Sequence, residues 1–181
     1  TGTNDSPDNN FTVGFDPDLS LNTQTNGNQR YLVTRLLGNG TLKANDATVV
    51  NNISDASFFG NPSGTIDLNT NFWGTASNLI SWSWKRARGY FDVCCYSGTG
   101  SARTQSHNLG AVPEMIWVKG RSQAENWAVY HKDVGATKYL QLNTTAAAAT
   151  SSTRFNDTAP TSSVFSLGAD NEVNMSGQTF V

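Results

Sequence analysis

Two distant segments of the sequence follow the same order of turn and strand residues. FTVGFDPDL starts at Phe11 and HNLGAVPEM starts at His107, and each carries a glycine, a proline, an acid and a large apolar residue at matching places. Glycine and proline at fixed spacing before apolar residues mark a turn that leads into a strand. An internal repeat of this kind constrains the fold more than any single motif, because it divides the chain into units of like architecture.

The repeat defines two modules of similar length. At a constant offset of 96 residues, Gly14 aligns with Gly110 and Pro17 with Pro113. We predict that these four residues are structural positions of the repeat. The alignment places a first, divergent β module at residues 1–95 and a second at residues 96–181.

Further along each module the alignment shifts slightly. Tyr31 aligns with Trp127 at the first offset, whereas Leu42 aligns with Leu140 two residues further on. A shift of this size is what a loop of unequal length between strands would produce.

The two modules end differently. QTFV, which ends at Val181, aligns with SNLI, which ends at Ile80, and the first module then continues with SWSW. The second module is therefore predicted to be truncated in its C-terminal strand, and the native polypeptide is predicted to extend past Val181.

Apolar residues alternate along most segments instead of recurring at helical spacing. NLISWSWK places Ile80, Trp82 and Trp84 on one face of a strand, and EMIWVKG is apolar on both faces, which predicts a central strand. Gly, Asn and Pro punctuate the chain at intervals of about ten residues, as in antiparallel sandwiches and barrels. The predicted fold class is all-β, with two tandem antiparallel β-sandwich-like modules.

Three segments are less regular. GYFDVCCYSG is predicted to form a strand, RYLVTRLLG fits a strand or a helix, and NTTAAAATSST fits a surface loop or a single helical turn. Cys94 and Cys95 are expected to be reduced and mostly buried, because a disulfide between neighbours is strained and a strand points them to opposite faces.

Composition excludes two classes of partner. Charged residues make up 14% of the chain and the formal net charge is -2. No basic surface for nucleic acid is expected, since phosphate binding depends on clustered Lys and Arg. No segment approaches the roughly 20 apolar residues that span a bilayer, so membrane insertion is not expected either.

Few residues are arranged as catalysis or metal binding would require. His131 and Asp133 lack a serine in a nucleophile elbow, and His107 and His131 lack the converging thiols or acids of a zinc site. Acids near the start of the chain and in ADNE from Ala169 offer oxygens to a loop cation, but they form no ordered acidic loop. We predict no enzyme, no catalytic residue, no cofactor and no metal.

Carbohydrate binding is the main functional alternative. Trp73 and Trp127 each have asparagine neighbours, and exposed aromatic faces flanked by polar groups bind sugars. Large aromatic residues in a sandwich are more often part of the core, and Trp127 aligns with Tyr31 of the other module. Both readings of the two tryptophans remain open at this point.

The second module also resembles a known family. The motifs are YSG at 96–98, GAVPEMIWVK at 110–119 and the final FV at 180–181. They are similar, in order, to those of a repeated domain of uncharacterised function in tail-fibre-like and other virion proteins of bacteriophages, especially phages of marine bacteria and cyanobacteria. The first module departs more from this pattern.

The resemblance implies a function but brings no catalytic residues. It implies a non-enzymatic structural segment of a phage virion appendage, chiefly a tail fibre, exposed on the extracellular particle and assembled with other virion proteins. It also implies assembly with other copies of the same chain, so we expect a homo-oligomer, and trimers are common among such fibres. The alternative is a glycan-binding host-recognition module of the same particle. A polysaccharide hydrolase is less favoured, because Asp16, Asp18 and Glu114 all lie in the predicted turn.

Overall fold

The protein is built almost entirely of antiparallel strands. The computed structural model describes residues 10–25, 30–52, 65–67 and 79–181. Within these ranges the helical segments are one 3-10 turn, Arg35–Leu37, and one short helix, α1 (Asn171–Asn174). The prediction of an all-β chain is confirmed.

The described strands are short, and their bounds in chain order are as follows. They are β1 (Asn10–Thr12), β2 (Leu19–Gln24), β3 (Arg30–Thr34), β4 (Gly40–Lys43), β5 (Asn51–Asn52), β6 (Thr65–Asp67), β7 (Leu79–Trp84), β8 (Tyr96–Ser97), β9 (Arg103–Ser106), β10 (Met115–Val118), β11 (Ala128–His131), β12 (Lys138–Gln141), β13 (Ala149–Thr150), β14 (Val164–Leu167) and β15 (Thr179–Phe180).

The chain separates into two compact units. The first comprises the described residues within Thr1–Ala44 and Val50–Arg86, and the second those within Asn45–Val49 and Ala87–Val181. This division falls at 86/87, nine residues before the 95/96 boundary of the sequence alignment. It also assigns the short segment Asn45–Val49 to the second unit.

A five-stranded antiparallel sheet in the order β5-β4-β3-β2-β7 forms the first unit, together with a two-stranded sheet of β1 and β6. The segment RYLVTRLLG, which fitted a strand or a helix, contains both. It forms β3 and then the 3-10 turn, where the Thr34 hydroxyl accepts a hydrogen bond from the N–H of Leu36. Gly38 ends the turn at φ 59°, a left-handed conformation that glycine adopts without strain.

Both faces of the five-stranded sheet carry buried residues. Leu32 and Leu42 lie directly opposite each other on one face, and Val33 is buried on the other. The second face also buries hydroxyl groups, and the Ser20 and Ser83 oxygens are 2.8 Å apart. Cross-strand apolar and hydroxyl pairs of this kind stabilise a sheet by about 0.2–1 kcal/mol each.

The second unit contains a four-stranded antiparallel sheet in the order β10-β11-β12-β13 and two small sheets, β14-β9 and β15-β8. Its core is formed by buried residues from all three sheets, from α1 and from the connecting loops: Tyr96, Val118, Ala128, Tyr130, Ala136, Phe155, Phe165, Leu167, Val173 and Phe180. The rings of Tyr96 and Phe180 stack with centroids 5.2 Å apart.

The prediction that EMIWVKG forms a central strand is wrong for the described sheets, where β10 is an edge strand. Ile116 and Val118 pack on the core, whereas Met115 and Trp117 lie on the opposite face. A strand that is apolar on both faces has the same sequence pattern whether or not a second neighbour pairs with it.

Two other sequence predictions can be compared with the structure. In GYFDVCCYSG only Tyr96–Ser97 forms a strand, while Cys94 is half-buried and Cys95 exposed, so the expected burial is wrong for Cys95. Neither cysteine is in a disulfide, as predicted. The alanine-rich segment is a loop up to residue 148 and then pairs through β13, so the loop interpretation is confirmed.

Candidate functional site

Turns with the same conformation precede β2 and β10. Gly14 has φ 74° and Gly110 has φ 71°, and both lie in the left-handed region that favours glycine. Pro17 and Pro113, three residues further on, are both buried. Of the four residues predicted as structural positions, the two glycines thus match in φ and the two prolines match in burial.

The acid that follows each proline has the same main-chain partner. The Asp18 carbonyl accepts from the N–H of Arg35 at 3.1 Å, and the Glu114 carbonyl accepts from the N–H of Lys132 at 2.8 Å. Each acid also forms an ion pair with that basic residue, at 3.7 Å from Arg35 Nε to Asp18 and at 2.6 Å from Lys132 Nζ to Glu114. These acids therefore hold a turn against the next strand, which accounts for their presence without a hydrolytic role.

The pairings of four successive strands in one unit have counterparts in the other. In the first unit Leu19 pairs with Thr34, Leu32 with Leu42 and Gly40 with Asn52. In the second unit Met115 pairs with His131, Val129 with Leu140 and Lys138 with Thr150. The strand order is β2-β3-β4-β5 in the first case and β10-β11-β12-β13 in the second.

These registers test the sequence alignment residue by residue. Leu42 and Leu140 hold corresponding places, as the alignment has them. Tyr31 corresponds to Ala128 instead of Trp127, so the alignment is wrong by one residue on this strand. Because side chains alternate along a strand, a slip of one residue assigns a side chain to the opposite face.

The two tryptophans considered for glycan binding have different outcomes. Trp73 lies outside the described residues. Trp127 is 2% exposed, and its main-chain N–H donates to the side-chain oxygen of Asn143 at 3.0 Å. A buried indole presents no ring face to a sugar, so this position argues against a glycan contact at Trp127.

Exposed indoles are found instead on β7. Trp82 is 39% exposed and Trp84 is 36% exposed, and both side chains lie on one face of that strand. The alternation in SWSW predicts this stripe, whereas the neighbouring asparagines favoured Trp73 and Trp127 as glycan contacts.

Local hydrogen bonds occupy both histidines. His131 Nδ1 accepts from the main-chain N–H of Asp133 at 3.3 Å, which is a turn contact. His107 Nδ1 accepts from the N–H of Leu109, and Nε2 lies 3.2 Å from the Thr161 carbonyl. His107 thus links its own turn to the segment around Thr161.

A buried charged cluster, which the sequence analysis missed, lies in the second unit. We call Arg154, Asp170 and Glu172, with the ring of Tyr139, the Arg154 cluster. The Arg154 guanidinium carbon lies 3.5 Å from the centre of the Tyr139 ring. Its Nη1 lies 2.5 Å from Glu172 Oε2, and its Nε lies 3.5 Å from Asp170 Oδ2.

The carboxylates of this cluster also bind neighbouring polar groups. Glu172 Oε1 accepts from Asn126 Nδ2 at 3.3 Å and from Gln141 Nε2 at 3.0 Å. Asp170 Oδ1 accepts from the N–H of Glu172 at 2.9 Å and so caps helix α1. The cluster thus ties α1 to strand β12 and to the segment around Arg154.

Burial raises the pKa of Glu172, and the nearby Arg154 opposes this increase. The acids of ADNE, considered as cation ligands from sequence, are thus paired with a guanidinium. In the part of the chain that the structure describes, no three His, Cys, Asp or Glu side chains are grouped so that they could hold a metal ion.

A single lysine is fully buried in the same unit. Lys119 is 0% exposed, and its Nζ donates to the carbonyls of Ala47 and Gly120, both at 3.1 Å. Burial lowers the Lys119 pKa to about 8, although nearby acids oppose the shift. Lys119 thereby attaches the segment 45–49 to the second unit.

Among the residues that the structure describes, no helix is both long and apolar enough to cross a membrane.

Comparisons with known proteins show which family the chain belongs to. Comparison with curated proteins and with solved structures gives no match. One family model matches residues 1–181. The chain belongs to the family described as a domain of unknown function, DUF7483.

Proposed function

We propose that the chain is a non-enzymatic structural segment of a bacteriophage virion appendage, chiefly a tail fibre, made of two tandem β-sandwich-like modules. The observation that carries this proposal is the recurrence of one set of strand pairings in both units. The same strand order and the matching residue pairs, such as Leu32 with Leu42 and Val129 with Leu140, favour a duplicated module.

Duplication has a structural purpose that needs no reaction. A repeated module adds length or another copy of a surface without a new core, and its stability stays largely local. Each unit here buries its own apolar residues, with Leu32, Val33 and Leu42 in the first and Val118, Ala128 and Phe180 in the second.

The buried ionisable groups support an architectural role as well. Arg154, Glu172 and Lys119 are each buried and each joined to groups on other segments of the second unit. Groups used in this way link parts of a fold. A catalytic pair of acids would instead face each other across an open cleft.

The virion setting rests on the sequence resemblance of residues 96–181 to repeated domains of phage tail-fibre-like proteins. Composition agrees with an extracellular particle surface. With 14% charged residues, the chain depends on neutral polar groups for solubility, and such surfaces are little affected by salt.

Electron microscopy of intact particles tests this proposal. Antibodies raised against the chain, with gold labels, are applied to purified phage particles whose genome encodes it. We expect labels on a tail fibre or another appendage, and none when the antibody is first absorbed with the purified chain. Purified particles that carry no labelled chain, and that lack its peptides by mass spectrometry, would contradict the proposal.

A second candidate function is glycan binding by the first unit. The exposed indoles of Trp82 and Trp84 on one face of β7 favour it, since aromatic faces stack on sugars. A glycan array probed with the wild-type chain and with a Trp82→Ser, Trp84→Ser variant tests it. Tyr90→Ser is the matched control, because Tyr90 is 89% exposed but lies in the second unit. Equal binding by all three proteins would rule this candidate out.

A further inference from the structure

The strand pairings of the first unit place a row of polar side chains on one face of its five-stranded sheet. Ser20 and Asn22 of β2 lie on this face, with Ser83 beside Ser20 and Ser81 beside Asn22 on β7. Ser20 and Asn22 are 0% exposed, and Ser81 is 2% exposed. A buried amide therefore lies among serine hydroxyls on two neighbouring strands.

The corresponding positions of the second unit are apolar. The matched strand registers make Ser20 correspond to Ile116 and Asn22 to Val118. Val118 is buried in the core of the second unit, and Ile116 packs against that core. The first unit thus has polar groups on the face that the second unit uses for its apolar core.

The serine hydroxyls on this face have partners, whereas the amide has none. The Ser83 oxygen lies 2.8 Å from the Ser20 oxygen and 3.4 Å from the Ser81 oxygen. Asn22 Oδ1 and Nδ2 are both buried, and neither has a hydrogen-bond partner among the described residues. An unpaired buried amide is costly, because it loses the hydrogen bonds that water gives it in the unfolded chain.

A second fully buried asparagine has a complete set of partners. Asn174 is 0% exposed, and its Nδ2 donates to the carbonyls of Ser101 and Gly168 at 2.7 and 2.8 Å. Its Oδ1 accepts from the N–H of Thr99 at 2.9 Å. Asn22 therefore differs from Asn174 in its partners and not in its burial.

We propose that Asn22 binds buried water, which links its side-chain amide to the hydroxyls of Ser20 and Ser81. Water fits this position because Asn22 has both a donor and an acceptor to satisfy, and water accepts and donates hydrogen bonds. A cation would bind only Oδ1, and an anion would bind only Nδ2. Buried water in proteins makes about three hydrogen bonds, and the serine hydroxyls beside Asn22 supply the remaining ones.

The strand register leaves room for such a bridge. Asn22 lies directly opposite Ser81, and residues in this relation have Cβ atoms about 4.5–5.5 Å apart. Ser20 lies on the same face, two residues away along β2. The water extends the row of hydroxyls formed by Ser81, Ser83 and Ser20 to the amide, and so joins β2 to β7. This inference rests on the burial and pairing of these residues and not on the proposed function.

Nuclear magnetic resonance of the isotope-labelled chain tests the assignment directly. Cross-relaxation between water and the side-chain amide protons is measured for Asn22 and for Asn174, which is equally buried but fully paired. We expect a water cross-peak at Asn22 Nδ2 and none at Asn174 Nδ2. A folded chain that shows no water cross-peak at Asn22 would overturn the proposal.

Oxygen-17 relaxation dispersion supplies a second test, since it counts long-lived water molecules and does not respond to exchange of serine hydroxyl protons. One variant is Asn22→Val, which introduces the residue type of Val118. The matched control is Asn52→Val, the same change on β5 of the same sheet, where the side chain is exposed. We expect Asn22→Val to lose at least one long-lived water per chain and Asn52→Val to lose none.

An unchanged number of long-lived waters in folded Asn22→Val would also overturn the inference. If this variant does not fold, the cross-peak at Asn22 in the wild type decides by itself. Neither measurement involves phage particles, so failure here is distinguishable from failure of the proposed function.

Discussion

Arg154 lies between the ring of Tyr139 and the carboxylate of Glu172, with its guanidinium carbon 3.5 Å from the ring centre and Nη1 2.5 Å from Oε2. Both charged side chains are about nine-tenths buried. A pair of this kind is costly to break, because removal of one partner leaves the other charge in a medium that solvates it poorly.

Replacement of Arg154 is therefore expected to destabilise the second unit. We expect Arg154→Met to lower the free energy of unfolding by about 3–5 kcal/mol in urea denaturation. Lys132→Met is the matched control, because the ion pair of Lys132 with Glu114 is exposed, and it should change stability little. If the two variants lose the same stability, the buried pair does not have the assigned role. Adding Glu172→Gln to Arg154→Met should restore part of the loss.

The buried Lys119 predicts a dependence of stability on pH. Its pKa is about 8 in the folded chain against an ordinary value of 10.5, so the unfolded chain binds more protons between these values. Stability from this residue is therefore fully present above pH 10.5 and is lost as the pH falls through about 8. Between pH 7 and pH 9.5 the free energy of unfolding of the wild type should rise by about 2 kcal/mol relative to that of Lys119→Met.

Urea titrations of both proteins at the two pH values measure this difference. Groups that titrate in both proteins cancel in the comparison, as do the carbonyls of Ala47 and Gly120, which lose their donor in the variant at every pH. If the free energies of unfolding of wild type and Lys119→Met change by the same amount from pH 7 to pH 9.5, the pKa of Lys119 is not lowered in the folded chain.

A glycine packed against the backbone predicts a large steric effect. A Cβ at Gly168 would collide with the main chain of Thr153. That main chain has little freedom to move, because the carbonyl of the next residue, Arg154, accepts a hydrogen bond from the Gly168 N–H. We expect Gly168→Ala to destabilise the chain by about 3 kcal/mol or more. Gly135→Ala is the control, because φ there is 82° but no atom lies near the added carbon, and about 1 kcal/mol is expected. Equal losses in thermal unfolding would contradict the close approach.

The adjacent cysteines are predicted to react at different rates. Burial, with a contribution from Asp92, raises the pKa of Cys94 to about 11. Burial also raises the pKa of Cys95, but Arg121 opposes that increase, and Cys95 is exposed while Cys94 is half-buried. Since the thiolate is the reactive form, maleimide at pH 8 should label Cys95 several-fold faster. Cys95→Ser should remove the fast phase and Cys94→Ser the slow one. A single common rate for both variants would count against the different environments of the two thiols.

Some features of the fold follow from local sequence alone. Alternating apolar residues predict strands because side chains of a strand point to opposite faces in turn. The left-handed turns at Gly14 and Gly110 follow from glycine before a proline and an acid, since few other residues adopt that conformation without strain. The correspondence of Leu42 with Leu140 could also be predicted from the sequence, because both lie in short strands with the same pattern.

Other features were beyond the reach of local pattern. Whether β10 is central or at an edge depends on which strand lies beside it, and its own side chains report only its two faces. The burial of Trp127 was missed for a related reason, because asparagine neighbours occur around exposed and buried aromatics alike, and here Asn143 binds the main chain of Trp127.

By itself, then, the sequence determined the type of secondary structure and the positions of the turns at Gly14 and Gly110, because these depend on backbone sterics and on residues close together in the chain. The tertiary structure alone decided the cluster of Tyr139, Arg154 and Glu172, the burial of Lys119 and the edge position of β10 among the described strands. Each of these depends on contacts between residues distant in sequence, and a charge or a strand edge acquires its partner only when the chain folds.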